Sequence, residues 1–150
     1  MNDITPNESI GILLNNYTGH LGYISQQSPY VIPTTYFYDK EDHSIISYSA
    51  TGHKIEAMRK NPAVSLLVEE IKSAKNWQSV LVHGTYEELQ GSEAKFRLHR
   101  FTEGVKSVIK RNENRNTEFI SEFSSKLYSR GIPIVYRIKI SELTGKRKET

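Results

Sequence analysis

The chain has 150 residues, the length of one domain, with 37% hydrophobic and 25% charged residues, 9 Tyr, 5 Phe, 1 Trp, a net charge of +3 and no cysteine. That is a globular, aromatic-rich composition, and it excludes a disordered chain. The lack of cysteine excludes a disulfide scaffold, a thiolate zinc site, an iron–sulfur cluster and a cysteine nucleophile.

In chain order, Thr5-Pro6 with Glu8 reads as a helix start, with Thr as N-cap, Pro at the first helical position and Glu three residues after the cap. Ile10, Leu13 and Leu14 supply its apolar face, and it is expected to stop before Gly19. His20 to Ser25 is a weakly alternating strand, residues 26–29 are a turn, and Tyr30 to Tyr38 is the most aromatic and β-branched run. These two strands are expected to form a hairpin. Asp39 to Asp42 makes the next turn and Ser44 to Ser49 a third strand. A helix of about two turns opens near Thr51-Gly52 and stops before Asn61-Pro62, because the residue before proline is pushed out of the α region. Val64 to Ile71 and Gln78 to Leu89 are the strongest strands, and Gly84 in the second predicts a bulge or a close backbone approach. From Ser92, read as a cap, to about Asn112 the spacing predicts one long helix, or two broken near Gly104. Thr117 to Tyr128 reads as a further helix closed by Gly131, and Ile134 to Ile140 as the last strand. Antiparallel hairpins with helices inserted between them argue for one mainly β domain over 1–150, a β-barrel or curled sheet with flanking helices.

The segment from Tyr48 to Lys54 carries the most chemistry. It lies where a strand ends and a helix begins, so free N–H groups and the positive end of the helix dipole meet at one place. Ser49 and Thr51 add hydroxyls, Gly52 permits close approach, and Lys54 adds a positive charge that the dipole disfavours unless an anion sits there. An ordinary capped helix with a solvated lysine is the alternative. Pro33 within Tyr30 to Thr34 removes a ladder donor, which indicates either an edge strand or backbone groups turned toward another partner. Trp77-Gln78-Ser79, at the mouth of a strong strand, places an amide beside a large aromatic, as a small-molecule pocket or a plugged barrel end would.

The five histidines show no paired ligand spacing, and no metal is expected. Signatures of serine hydrolases, P-loop enzymes and Rossmann folds are missing. Residues 1–75 carry a net charge of −2 and residues 76–150 a net charge of +5. The basic run Lys95, Arg97, Arg100, Lys106, Lys110, Arg111 and Arg115 is interleaved with Glu93, Glu103 and Glu113, which favours a solvated helix face over a nucleic-acid surface. No apolar run approaches the roughly 20 residues of a spanning helix. The N-terminus lacks the order of a signal peptide. A soluble cytoplasmic protein with no membrane partner is therefore expected.

Taken in order, GHLGYIS at 19–25, PYVIPTTYFY at 29–38, Ser49 to Lys54 running into KIEAMRKNPAVS at 54–65, WQSVLVHG at 77–84 and ISELTGK at 140–146 resemble the FMN-binding split-barrel family related to pyridoxamine 5'-phosphate oxidase, in the branch similar to nitroimidazole resistance reductases. The resemblance implies an antiparallel Greek-key split barrel, a homodimer with FMN at its interface, and flavin-dependent oxidoreductase activity on a small molecule, with NAD(P)H as a candidate donor. It implies that Ser49, His53 and Lys54, with Tyr48 near the ring, hold the FMN phosphate and ribityl. Val31, Ile32, Pro33 and Thr34 would line the isoalloxazine, and Gln78, with Trp77 and Ser79, would meet the flavin's polar edge. Members of that branch commonly carry a His on the strand before the G-x-K segment; Ile46 to Ser49 contains none, which argues against nitroimidazole reduction. Only Arg137 is a loose match for the basic residues with which the oxidase proper holds its substrate's phosphate. The competing readings are a flavin or haem carrier without turnover, and a nucleic-acid-binding barrel using the helix at 95–115.

Overall fold

A computed structural model describes residues 1–113 and 133–150. The helix expected over 117–128, its closing Gly131, and Arg115 lie outside the described residues.

The elements in order are β1 (Asn2–Asp3), α1 (Pro6–Leu14), β2 (Thr18–Ser25), β3 (Ser28–Thr35), β4 (Phe37–Asp39), β5 (Ser44–Ser49), α2 (His53–Lys60), β6 (Ala63–Ser73), β7 (Asn76–Glu88), α3 (Gly91–Glu113) and β8 (Ile134–Lys148). The strands pair antiparallel in the order β3-β2-β6-β7-β8-β5-β4, with β1 on β8. The crossovers β2 to β6 and β5 to β8 give the Greek-key character, and among the described residues β3 and β4 are the two ends of a split barrel.

The start of α1 follows its sequence closely: Thr5 and Glu8 form a reciprocal capping box, and Pro6 opens the helix. Two strands differ from expectation. The run expected from Tyr30 to Tyr38 divides at Tyr36, whose N–H bonds to Tyr17 O (2.8 Å) and whose ring is buried with its hydroxyl donated to Leu13 O (2.8 Å). Burial pushes the Tyr36 phenol far up. The last strand extends to Lys148 because β7 and β1 both pair with its second half.

Two apolar clusters form the core. One fills the barrel with Leu21, Ile45, Leu66, Val80 and Ile138; the other lies between α3 and the sheet, joining Phe101, Val105 and Ile109 to Ile46 and Val135. Neighbours on β5 therefore serve different cores, Ile45 inward and Ile46 toward α3, as the twofold period of a strand demands. Helix α3 runs unbroken through Gly104, where a Cβ would stand 2.2 Å from Phe37 Cδ1. That glycine makes room for a ring and does not end a helix. Ser92 lies inside α3, which opens one residue earlier at Gly91. At Gly84 the expected close approach is present: a Cβ would meet Lys139 O at 2.4 Å, and the β7–β8 register slips between His83 and Gly84.

Candidate functional site

The junction of β5 and α2 is held from two sides. Strand β5 pairs with β8, so that Tyr48 faces Val135 and Ser49 faces Ile134. The Tyr48 ring meets Phe101 edge-on at 5.1 Å, which ties the end of the strand to α3. Helix α2 has no side-chain hydrogen bond at its N-cap, Gly52, and a Cβ there would find nothing within 4 Å. Among the described residues its first N–H groups therefore lack a side-chain partner, with open space at the cap. Ser49 Oγ donates to Ala50 O (2.8 Å), which commits its proton locally. Lys54 is half-buried, and among the described residues no carboxylate pairs with it. Burial alone pushes its ammonium below the ordinary lysine range.

His53 turns to the other side, against the β2–β3 hairpin. Its Nδ1 lies 3.0 Å from the Tyr23 hydroxyl, and its ring meets that of Tyr30 at 4.9 Å. Tyr30 in turn stacks on Tyr23 at 5.3 Å and 8°. The two tyrosines face each other because the turn has only two residues, Gln26 and Gln27, so that Ser25 pairs with Ser28 and Tyr23 with Tyr30. This cluster follows from YISQQSPY only with a two-residue turn, whereas the turn expected over residues 26–29 does not set the two rings opposite each other.

Strand β3 is an edge strand, in keeping with Pro33. The Tyr36 bond to Tyr17 sets the parity of the ladder: in an antiparallel pair hydrogen-bonded positions alternate, so Ile32 and Thr34 bond to Leu21 and Gly19. Val31 and Pro33 hold non-bonded positions opposite Gly22 and His20, with their backbone groups toward the free edge. Proline costs nothing there, because the edge position needs no ladder donor. Val31 is 70% exposed, while Ile32 packs on the barrel core. Thr34 Oγ1 is buried with no hydrogen-bond partner.

Trp77, Gln78 and Ser79 belong to the body of β7, between β6 and β8. The Gln78 amide is engaged at both ends: it donates to Glu70 (2.7 Å) and accepts from Arg147 (3.0 and 2.9 Å). Burial works against ionisation of Glu70, but hydrogen bonds from Gln78, Asn16 and Asn15 outweigh it and keep the carboxylate ionised. Trp77 and Gln78 line a polar cleft with Glu70, Lys72 and Arg147, whereas His53 and Tyr30 line a separate one. Along β6, Glu70 stands beside Gln78 and Ser65 beside Gly22, five residues apart, or ~17 Å at strand spacing. Ser49, His53 and Lys54 are neighbours at the β5–α2 junction, with His53 turned to the hairpin, and the cleft that Trp77 and Gln78 line is separate from the one that His53 lines.

The basic stripe of α3 is partly consumed by structure. Arg97 and Arg100 reach Asp39, whose side chain is 0% exposed, at 2.6 and 3.1 Å. Sequence alone did not link them, since the partners lie 58 and 61 residues apart. Among the described residues no group of acidic and histidine side chains is placed to hold a metal ion, and no helix is long and apolar enough to cross a membrane.

An antiparallel sheet curled into a split barrel, with a helix start that lacks a side-chain cap beside a half-buried cation, defines the class: a mainly β split-barrel domain. The chain belongs to the family described as pyridoxamine 5'-phosphate oxidase, whose model matches residues 5–147. Among solved structures it is similar to an FAD-binding protein from Mesorhizobium loti, with 27% identity and a TM-score of 0.74 over 99% of this chain and 98% of that one. It shares its fold with the FAD-binding protein of Mycobacterium smegmatis, at 13% identity and a TM-score of 0.65 over all of both chains. A candidate 5-nitroimidazole antibiotic resistance protein from Bacteroides thetaiotaomicron has the same fold, at 16% identity and a TM-score of 0.69 over 96% of this chain and 85% of that one. An uncharacterised Rhizobium meliloti protein is 34% identical over 86 residues, 57% of this chain and 56% of that relative's length.

Proposed function

We propose that this protein binds a flavin non-covalently and acts as a flavin-dependent oxidoreductase on a small molecule. The observation that carries the reading is Lys54: a half-buried ammonium, without a carboxylate among the described residues, in the first turn of a helix whose cap is open. A phosphate dianion would satisfy both the cation and the free N–H groups. The edge of β3 would suit a flat ring, since it offers the carbonyls of Val31 and Pro33 and the N–H of Val31, and the buried Thr34 hydroxyl lacks a partner among the described residues. The portion of the flavin seated here is the FMN moiety. The flavin supplies the two-electron chemistry, and the chain's part is to bind, orient and exclude water.

A second copy of the chain belongs to the proposal. Val31, Leu67 and Ile71 project from one outer sheet face, since Val31 pairs with Gly22, Gly22 with Ser65, and Leu67 and Ile71 follow Ser65 at even spacing. Such a face would serve as a contact surface, and Trp77 and Ser79, which share it through their pairing with Ile71 and Glu69, would lie toward a flavin held by the second copy. Gln78 stands on the opposite face, where Glu70 and Arg147 clamp its amide.

The purified protein tests this directly. A yellow sample, or colourless protein that takes up added flavin with a quenched fluorescence, supports the reading; protein that takes up none refutes it. Anaerobic bleaching by NADH or NADPH, followed by reoxidation with quinones or nitro compounds, distinguishes an oxidoreductase from a carrier.

A further inference from the structure

Beyond His53 the surface continues into a cleft of about 390 Å³ between α2 and the tip of the β2–β3 hairpin, within the ~300–1,000 Å³ of small-molecule sites. We infer that this cleft is an adenosine site, and that it takes the adenosine half of a dinucleotide flavin, so that the chain selects FAD over FMN. The inference rests on the proposed flavin site, whose phosphate end at Lys54 adjoins His53.

Three features point to a nucleotide base. Tyr30 is 41% exposed and lines the cleft, yet its ring is immobilised by stacking on Tyr23 and by the edge of His53, which Tyr23 holds through its hydroxyl. A fixed, half-exposed ring is a stacking platform for a base. Gln26 and Gln27 form the lip of the cleft with φ of 50° and 72°. Left-handed backbone at both positions suits Asn-Gly and strains glutamine, so these long amides occupy a position that a shorter and less strained pair would fill better. A glutamine amide matches the N6/N7 edge of adenine with two hydrogen bonds.

The charged and titratable groups of the cleft are His53, Glu56 and Lys60. Glu56 and Lys60 stand four residues apart on one helix face but make no ion pair within 4 Å. Lys60 is thereby left for a phosphate oxygen, while Glu56 opposes a large anion. The balance favours recognition through the base over recognition through phosphate charge.

The test compares FMN, FAD, AMP and NADH as ligands of the full chain freed of flavin. The expected result is FAD binding about tenfold or more tighter than FMN, the order of one base stacked on an aromatic ring, with AMP competing against FAD and not against FMN. Tyr30→Ala should erase the FAD preference and leave the FMN affinity unchanged. The pair Gln26→Asn with Gln27→Gly relaxes the turn, so it should raise the melting temperature while lowering FAD affinity, a combination that misfolding cannot produce. Equal affinities for FAD and FMN overturn the adenosine assignment and leave the flavin site standing; failure of both flavins to bind overturns both. NADH binding to FMN-loaded protein without any FAD preference also overturns it, by assigning the cleft to the adenosine of a nicotinamide dinucleotide.

Discussion

Replacing Lys54 with Met keeps an unbranched side chain of similar length and removes only the charge. The structure predicts effects of opposite sign on stability and on binding. In the flavin-free protein, burial lowers the Lys54 pKa and no described carboxylate offsets the charge. The folded state carries an ammonium it disfavours, so Lys54→Met should raise the melting temperature. With flavin bound, the same change removes charge-assisted hydrogen bonds to the phosphate, about 1.5–3 kcal/mol, or about 10- to 150-fold in Kd. The pH dependence follows from the same shift. Because the folded pKa of Lys54 is depressed, the unfolded chain keeps its proton to higher pH, and flavin-free stability rises as pH climbs through the folded value. A bound dianion favours the ammonium, so wild-type flavin affinity should fall over that range, and the fall should vanish in Lys54→Met. Scanning fluorimetry of the flavin-free protein and fluorescence-quench titrations from neutral to alkaline pH read both effects. A Lys54→Met protein that binds flavin as well as wild type, or melts lower without it, refutes the assignment of Lys54 as the phosphate cation.

Asp39 anchors α3 to the β4–β5 turn, and Asp39→Ala leaves Arg97 and Arg100 without their buried acceptor while Glu41, Asp42 and Glu93 stay near them, a change that should cost about 1.5–3 kcal/mol; a loss below about 1 kcal/mol in urea denaturation would contradict this weighting. Burial works against ionisation of Asp39, but hydrogen bonds from Arg100, the Glu41 N–H and Arg97 outweigh it and lower its pKa. Its stabilisation is therefore present above the unfolded carboxylate value and lost as pH falls through the folded one, so the acid limb of the wild-type stability curve should be steeper than that of the variant. Gly84→Ala drives a Cβ to 2.4 Å from Lys139 O and should cost about 1–3 kcal/mol. Gly52→Ala enters open space on extended backbone and should change stability by less than about 0.5 kcal/mol while weakening flavin uptake, and comparing the two melts with the two titrations checks both. Val31→Glu together with Leu67→Glu places charge on the exposed apolar face; light scattering should show monomers with weakened flavin binding, and a dimer that persists unchanged would place the subunit contact elsewhere.

Much of this protein is legible in its sequence, for local reasons. The Thr5-Pro6-Glu8 cap, the strand Ser44 to Ser49 and the stop of α2 at Asn61 before Pro62 are decided by hydrogen-bonding and steric rules that act over a few residues. The strand end at Ser49 and the helix start at His53 are legible for the same reason, and they set a glycine and a first-turn lysine at one junction. What depended on distant partners was not legible. The run from Tyr30 to Tyr38 breaks at Tyr36 because that ring enters the barrel and bonds to Leu13. Arg97 and Arg100, one stripe of a basic helix in the sequence, turn to an aspartate about sixty residues away. Gly104 proved to be a seat for Phe37 and not a helix breaker. Local pattern determines which elements form and where a charge is exposed to need. Only the register of paired strands decides which side chains share a space, and it set Gln78 in the grip of Glu70 and Arg147, in a cleft separate from the one that His53 lines.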